Sequence, residues 1–465
     1  MNFKKLFFLI AIITVASFLF FLFTRVDLVL FETVKPEIKI LNIPRGLNNL
    51  PTNLDFQVKD SHSGISEIIV RLHQRNRSVQ VFKEKYNGQK NLDVKLILDN
   101  SKLNFIEGKA DLEIKIFDRS IWSNSFELNH TLVIDFKRPD LSVLSKEHYV
   151  YKGGASLVAY KTKDPNLGIS GIRVNNQRFI GFPARSLDRT FRDDDLYLSF
   201  YVVDPQIGDN ENIIAYSEDL VGNSSTEKFY NKILPRKFKD YKIKISDDYF
   251  ENKIKTFVKI QKNRLKDSPA INDDLDASIF GQNLIKLKQL DRYDLVSIAT
   301  KEQTAKIWEG PFLASSGVVL SGFNDTLRLI INDQEIASYK NEGFEFKTNN
   351  EQKVFALNNG VVLYSGDLGF YGNSVVLSHG LGLVTVYGFL SKINVNVGER
   401  LNLGDAVGVS GRSGLARENG YYLEFLINGV STDPRAWWDK KWYASHIDKK
   451  ILDIKKEIGL PIVKK

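Results

Sequence analysis

The chain contains no cysteine among its 465 residues. Disulfide bonds, iron–sulfur clusters, thiolate zinc sites and cysteine nucleophiles are therefore excluded. A lack of cysteine fits a bacterial protein outside the cytoplasm, although it does not by itself show that location. The sequence also has no long basic block, although 64 Lys and Arg against 56 Asp and Glu give a net charge of +8. Because no arginine stripe or aromatic-basic module accompanies this charge, we predict no nucleic-acid partner.

Long apolar runs are absent too, except at the N-terminus. Two lysines precede an apolar run over residues 6–23, which only Thr14 and Ser17 interrupt. At about 1.5 Å per residue, such a run nearly spans a hydrocarbon core of about 30 Å. A cleaved signal peptide is the alternative, but residues 14–16 make a poor cleavage site and cutting there would leave an apolar terminus. We predict cytoplasmic lysines and a single transmembrane anchor within residues 1–25.

Two segments of the chain resemble copies of one unit. Pro36 and Pro139 each open a stretch of alternating apolar and polar residues, and a Ser-Gly-Ile triplet follows each of them, at residues 63–65 and 170–172. A period of about 100 residues, with short alternating strands and Gly/Asn/Asp turns, is typical of immunoglobulin-like β-sandwiches. We interpret both copies as spacers, at residues 30–137 and 138–235.

The pattern then becomes helical and afterwards returns to strands. Ser246 followed by two aspartates is typical of a helix N-terminus, and a second helix is predicted over residues 284–298. Short apolar stretches broken by glycines follow, which indicate strands with tight turns. The predicted fold class is therefore mainly β. Its remaining parts are a helical connector, a β-rich domain and a lysine-rich tail, at residues 236–309, 310–440 and 441–465.

Segments all along this β-rich domain resemble, in order, the framework of the zinc peptidases of the M23 (LytM-type) family. Residues 354–362 read V-x-A-x-x-x-G-x-V, and residues 371–380 read Y-G-N-x-V-x-x-x-H-G. Residues 385–391 stand where the family has T-x-Y-x-H-L-S. The remaining segments are two Gly turns, a G-x-T-G-like turn and a closing P-x-x-W segment, at residues 397–398, 403–404, 411–414 and 434–438.

The resemblance implies a zinc site in active members of the family. A histidine and an aspartate spaced H-x-x-x-D, with the second histidine of an H-x-H, hold the metal and leave one position for water. The first histidine of the H-x-H and another in the Y-x-H-L strand handle protons. Five residues of this chain stand at these positions. The ligand positions carry Asn341, Glu345 and Glu424, and the proton-handling positions carry Tyr422 and Phe389.

No histidine therefore stands at any of the five positions, and we predict a catalytically degenerate domain with no cofactor. Oxygen-only ligands suit Ca²⁺ or Mg²⁺ better than a zinc hydroxide, so a hard-cation site at Glu345 and Glu424 is an alternative. Tyrosine, with a reference pKa of about 10, is a poor general base at pH 7. His379 stands at the family's structural H-G position, where we expect a packing role.

The resemblance leads to three hypotheses. The first is a protein of the bacterial inner membrane, with most of its chain in the periplasm, whose degenerate domain binds peptidoglycan or regulates a cell-wall hydrolase. The second is an active metalloendopeptidase that cuts peptidoglycan cross-link peptides with an unusual metal site, and the third is a purely structural domain. For the first hypothesis, the expected contact surface is the groove in which active family members bind their substrate. Its predicted lining is Tyr371, Asn373, Tyr387, Tyr421 and Tyr422.

Overall fold

The computed structural model describes residues 12–17, 32–208, 212–265, 275–301 and 305–461. Residues 12–17 form helix α1, while the remainder of the predicted anchor, 6–11 and 18–23, lies outside the described residues. Within the described residues no helix has the length and apolar character needed to cross a membrane. The predicted transmembrane helix is thus not supported by this part of the chain.

The chain forms two compact units. The first contains residues up to Pro139 together with Asn166–Gly168 and Glu218–Ser224, and the second contains the rest. The second unit therefore joins the second predicted sandwich, the connector and the C-terminal domain. The domain boundaries given above remain predictions.

Two sheets sharing one core make up the first unit. Their orders are β1-β3-β6 and β2-β8-β7-β4-β5. Because side chains alternate between the faces of a strand, Leu54, Phe56 and Val58 of β3 all point inward, and they meet Val70 and Leu112 of the other sheet. The strands are β1 Glu37–Asn42, β2 Gly46–Leu47, β3 Thr52–Lys59, β4 Ile65–Gln74, β5 Arg77–Gln89, β6 Asn91–Leu98, β7 Gly108–Asp118 and β8 Ser125–Ile134, with helix α2 at Asn100–Leu103. This arrangement is a β-sandwich.

Short strands also form the next hundred residues. They build sheets of order β14-β15-β11-β9 and β13-β12-β16-β17, and a separate pair β10-β18. The strands are β9 Asp140–Val143, β10 Tyr149–Tyr151, β11 Ala155–Lys163, β12 Leu167–Val174, β13 Gln177–Ile180, β14 Phe182–Pro183, β15 Leu196–Val202, β16 Ile213–Asp219, β17 Ser224–Lys228 and β18 Lys232–Leu234. Buried residues such as Leu157, Ile172 and Phe200 fill the space between them.

The predicted helices of the connector are present. Ser246 caps α3 by accepting a hydrogen bond from the Tyr249 backbone N–H, and the helix predicted over residues 284–298 belongs to the longer α5. The elements are β19 Asp240–Lys244, α3 Asp247–Tyr249, a π-helix Phe250–Lys255, α4 Thr256–Ile260 and α5 Ala277–Ala299. Strand β19 pairs in parallel with β21 of the following domain, so the connector contributes a strand to that domain's smaller sheet.

The C-terminal domain is built on an eight-stranded sheet. Its order is β20-β23-β31-β27-β26-β25-β29, with β32 paired to β31. Smaller sheets β19-β21-β22 and β24-β30-β28 adjoin it. The strands are β20 Val318–Ser321, β21 Thr326–Ile331, β22 Gln334–Lys340, β23 Phe344–Lys347, β24 Lys353–Phe355, β25 Gly360–Asp367, β26 Asn373–Gly380, β27 Leu383–Gly388, β28 Lys392–Ile393, β29 Arg400–Leu401, β30 Ala406–Val409, β31 Gly420–Ile427 and β32 Val430–Thr432.

Both faces of the large sheet are covered. On one face, Phe280, Leu284 and Leu287 of α5 share a core with Val376 and Val384 of the sheet. On the opposite face, Trp437 and buried residues of the 140–235 segment share a second core with the sheet. The chain ends in α6 Pro434–Trp438, α7 Lys440–Tyr443, a π-helix Ala444–Asp448 and α8 Lys449–Glu457. The central strand β31 is consequently buried along its whole length.

Candidate functional site

The predicted site positions on β31 lie on the face covered by α5. Tyr422 and Leu426 belong to the core formed with α5, and Glu424 lies between them on the same face because side chains alternate along a strand. Glu345 on β23 is the register partner of Tyr422. The fold therefore brings Glu345, Tyr422 and Glu424 close together.

Glu424 is fully buried and forms an ion pair with Arg292 of α5. Arg292 Nη1 lies 2.6 Å from Glu424 Oε1, which also accepts a hydrogen bond from Ser431 Oγ at 2.7 Å. The Tyr422 hydroxyl donates to Glu424 Oε2 at 2.9 Å. Burial raises the pKa of the Glu424 carboxyl, while the nearby Arg292 opposes that rise. Burial disfavours the charged guanidinium, but Glu424 outweighs this and the pKa of Arg292 is raised.

Glu345 has a second arginine as its partner. Arg417 donates to Glu345 Oε2 from Nη2 at 2.7 Å and from Nε at 3.1 Å. The same guanidinium lies 3.5 Å from Ser321 Oγ, which accepts a hydrogen bond from Asn341 Nδ2 at 3.0 Å. Asn341 and Glu345 are thus linked through Ser321 and Arg417.

The two proton-handling positions carry buried rings in contact. The centroids of Phe389 and Tyr422 are 5.7 Å apart, and those of Tyr371 and Tyr422 are 5.2 Å apart. Burial raises the pKa of Tyr422 well above its ordinary value. Its hydroxyl therefore stays protonated near neutral pH, and the phenyl ring of Phe389 has no group that exchanges a proton.

These residues do not fit a catalytic zinc ion. The three ligand positions offer an amide and two carboxylates but no imidazole, and each carboxylate already pairs with a guanidinium. A metal at Glu424 would have to displace Arg292 or lie beside its charge. Sets of three acidic or histidine side chains close enough to share one ion do occur in the described part of the chain, but they include neither Glu345 nor Glu424.

The residues predicted to line a groove do not form one exposed surface. Tyr371 and Tyr422 lie beneath α5, whereas Tyr387 and Tyr421 belong to the core on the opposite face of the sheet. All four side chains are buried. Asn373 is half-buried, and its side-chain N–H donates to the Leu390 carbonyl at 3.1 Å. The reason is tertiary: α5 covers one face of the sheet, and residues near Trp437 cover the other.

His379 is hydrogen-bonded to two neighbouring segments of the sheet. Its Nδ1 lies 2.6 Å from the Asn359 carbonyl and its Nε2 lies 2.8 Å from Thr385 Oγ1. Burial lowers the pKa of His379 to about 4, so the ring is neutral at pH 7. These contacts agree with the packing role expected from its motif position.

The arginines that pair with the site were not found from the sequence. Arg292 continues a helical stripe of buried positions that includes Leu284, Lys288 and Leu295. A charged residue in the apolar stripe of a helix signals a buried ion pair, and Lys288 follows the same rule through Glu342, with Nζ 2.7 Å from Oε1. The sequence pattern therefore indicates that Arg292 and Lys288 form buried ion pairs, but it does not identify the acidic residues that pair with them.

Residues 339–434 match Peptidase family M23, and this segment is an M23-family domain. Peptidoglycan DD-endopeptidase ShyC of Vibrio cholerae is 34% identical over 82 residues, which are 18% of this chain and 19% of that protein. Murein hydrolase activator EnvC of Escherichia coli is 31% identical over 85 residues, 18% and 20% of the two chains. The match thus spans about a fifth of these relatives' length.

Solved structures that align with parts of this chain include peptidases. A zinc-containing peptidase from Vibrio cholerae aligns over 70% of this chain and 80% of its own, with 12% identity and a TM-score of 0.25. The catalytic domain of lysostaphin, an antimicrobial peptidase from Staphylococcus simulans, aligns over 28% of this chain and 89% of its own. Its identity is 23% and its TM-score 0.20.

Proposed function

We propose that this protein is a non-catalytic component of the bacterial cell envelope whose M23-family domain binds peptidoglycan or regulates a cell-wall hydrolase. One observation carries the proposal: at the metal positions, Glu424 and Glu345 are held by Arg292 and Arg417. A guanidinium supplies a fixed positive charge where a peptidase would hold zinc, but it offers no open coordination position for water. The named relatives, an endopeptidase and a hydrolase activator, support a cell-wall context.

The absence of catalysis is tested with metal analysis and a peptidoglycan digest. We expect the purified chain to carry far less than one zinc per molecule, even after incubation with zinc. We also expect no release of muropeptides from isolated peptidoglycan, with a peptidoglycan DD-endopeptidase such as ShyC as the positive control for the assay. One zinc per chain together with cleaved cross-link peptides would instead support the alternative of an active metalloendopeptidase.

The partner is tested by crosslinking the full chain in envelope extracts. We expect peptidoglycan fragments or a cell-wall hydrolase to be recovered, and we expect a variant without residues 1–25 to move from the membrane fraction to the soluble fraction. The second result tests the proposed anchor separately from the partner. Recovery of neither peptidoglycan nor a hydrolase would favour the purely structural alternative.

A further inference from the structure

We propose that the first compact unit binds a hard divalent cation, Ca²⁺ in particular, at Glu32, Asp60 and Asp118. These residues lie far apart in the sequence, before β1, after β3 and at the end of β7. One carboxylate oxygen from each lies within 4.8 Å of the others. Oxygens that share a Ca²⁺ at about 2.3–2.6 Å are separated by at most about 5 Å, so this spacing fits a single ion.

The charges of this cluster are not balanced by neighbouring side chains. Asp60 and Asp118 are 4% and 1% exposed, and the Glu32 side chain is 6% exposed. Among the described residues, no lysine or arginine forms an ion pair with any of the three. The nearest basic group is His62, whose Nδ1 lies 3.0 Å from Glu32 Oε2 and which is charged only when protonated. Buried carboxylates without a counter-charge are costly, and a bound cation removes that cost.

Glu32 provides an independent indication of a ligand. Its Oε1 accepts hydrogen bonds from the Ser63 backbone N–H at 2.8 Å and from the Ser63 hydroxyl, which orients the carboxylate. Its Oε2 is buried and accepts no hydrogen bond from any described residue, and its nearest basic neighbour is the His62 ring. A buried carboxylate oxygen without a hydrogen-bond donor calls for an explanation, and a bound cation supplies one.

Hydrogen bonds also hold the other two carboxylates of the cluster in place. Asp60 Oδ1 accepts from the backbone N–H groups of His62 and Gly64 at 2.8 and 3.0 Å. Asp118 Oδ1 accepts from the Ser120 N–H and hydroxyl, and its Oδ2 accepts from Asn124 Nδ2 at 2.7 Å. Oxygen-only donors select hard cations over zinc or copper.

The three acidic positions recur about one repeat length further along the sequence. Asp135, Asp164 and Asp219 follow Glu32, Asp60 and Asp118 by 103, 104 and 101 residues, close to the interval that separates the two opening prolines. Because a carboxylate recurs at all three positions, a shared role such as cation binding is favoured over a chance arrangement of acidic residues.

Calcium titration of the full chain tests the proposal. Isothermal titration with Ca²⁺ up to about 10 mM covers the affinities of extracellular calcium modules. We expect E32Q and D118N each to bind one Ca²⁺ fewer per chain than the unaltered protein, whereas D93N, which removes an exposed carboxylate of the same sandwich, keeps the full number. Circular dichroism of each variant separates lost binding from lost folding. E32Q is the more informative variant because its side chain lies outside the strands.

Two results would overturn the proposal. One is an unaltered protein that binds no Ca²⁺ in this range. The other is a folded E32Q or D118N variant that binds as many ions as the unaltered chain. Neither result bears on the M23-family domain, so failure here leaves the proposed function untouched.

Discussion

Replacing Arg292 with methionine is expected to destabilise the second compact unit by about 3–5 kcal/mol, because the change leaves the buried Glu424 carboxylate without its counter-ion. Glu424 cannot turn towards water, since it is fully buried on the central strand β31. Chemical unfolding followed by tryptophan fluorescence measures the loss. Four of the five tryptophans, Trp308, Trp437, Trp438 and Trp442, lie in this unit.

The penalty of R292M is expected to depend on pH. Burial already raises the pKa of Glu424 in the folded protein, and R292M removes the group that opposes this rise. A carboxyl whose folded pKa exceeds its unfolded value of about 4.3 stabilises the fold below that value, and the contribution is lost as pH rises through the folded pKa. The penalty should therefore be larger at pH 8 than at pH 5.

Two further variants serve as controls for R292M. The double variant R292M/E424Q removes both charges and should recover much of the lost stability. R328A breaks exposed ion pairs with Asp240 and Glu335 in the same unit and should change stability little. Equal losses in R292M and R328A, or a penalty that does not vary with pH, would contradict a buried ion pair at this position.

Replacing Trp437 with alanine is expected to cost about 3–5 kcal/mol, the range for removing a large buried aromatic side chain. Trp437 is 0% exposed and touches Phe200 of β15, Phe425 of β31 and Trp442 of α7. The side chain therefore joins three parts of the second unit, and its loss opens a cavity between them. Thermal unfolding of this unit measures the effect.

W437F is the matched control for the cavity. The Trp437 indole N–H has no hydrogen-bond partner in the described residues, so phenylalanine loses volume but no hydrogen bond, and it should cost clearly less than alanine. W122A removes an exposed tryptophan of the first unit and should leave this transition unchanged. Losses of similar size for W437A and W437F would contradict a cost that is set by the volume of the cavity.

Local patterns predicted the elements of the C-terminal half well. Ser246 ahead of two aspartates correctly placed a helix N-cap, since capping depends only on neighbouring backbone groups. The motif positions of Tyr422 and Glu424 are two residues apart, so both side chains lie on one face of β31, because side-chain alternation is a property of the strand itself.

Contacts between distant segments were out of reach of the same reasoning. The alternation of β31 says that Tyr421 and Tyr422 face opposite ways, but not that α5 covers one face and residues near Trp437 the other. The pairing of Arg292 with Glu424 joins positions 132 residues apart, and nothing local to either residue selects the other. The motif residues alone therefore predicted a groove, because they do not indicate which distant elements cover them.

Strand β19 of the connector and Arg292 of α5 also determine which segment of the chain can fold by itself. The family match covers residues 339–434, yet Glu424 within it depends on Arg292, and β21, which adjoins the matched segment, depends on β19. An excised family segment would keep a bare carboxylate in its interior and lose a sheet neighbour. The segment that matches the family is thus shorter than the segment needed for a stable fold, which begins at or before Asp240.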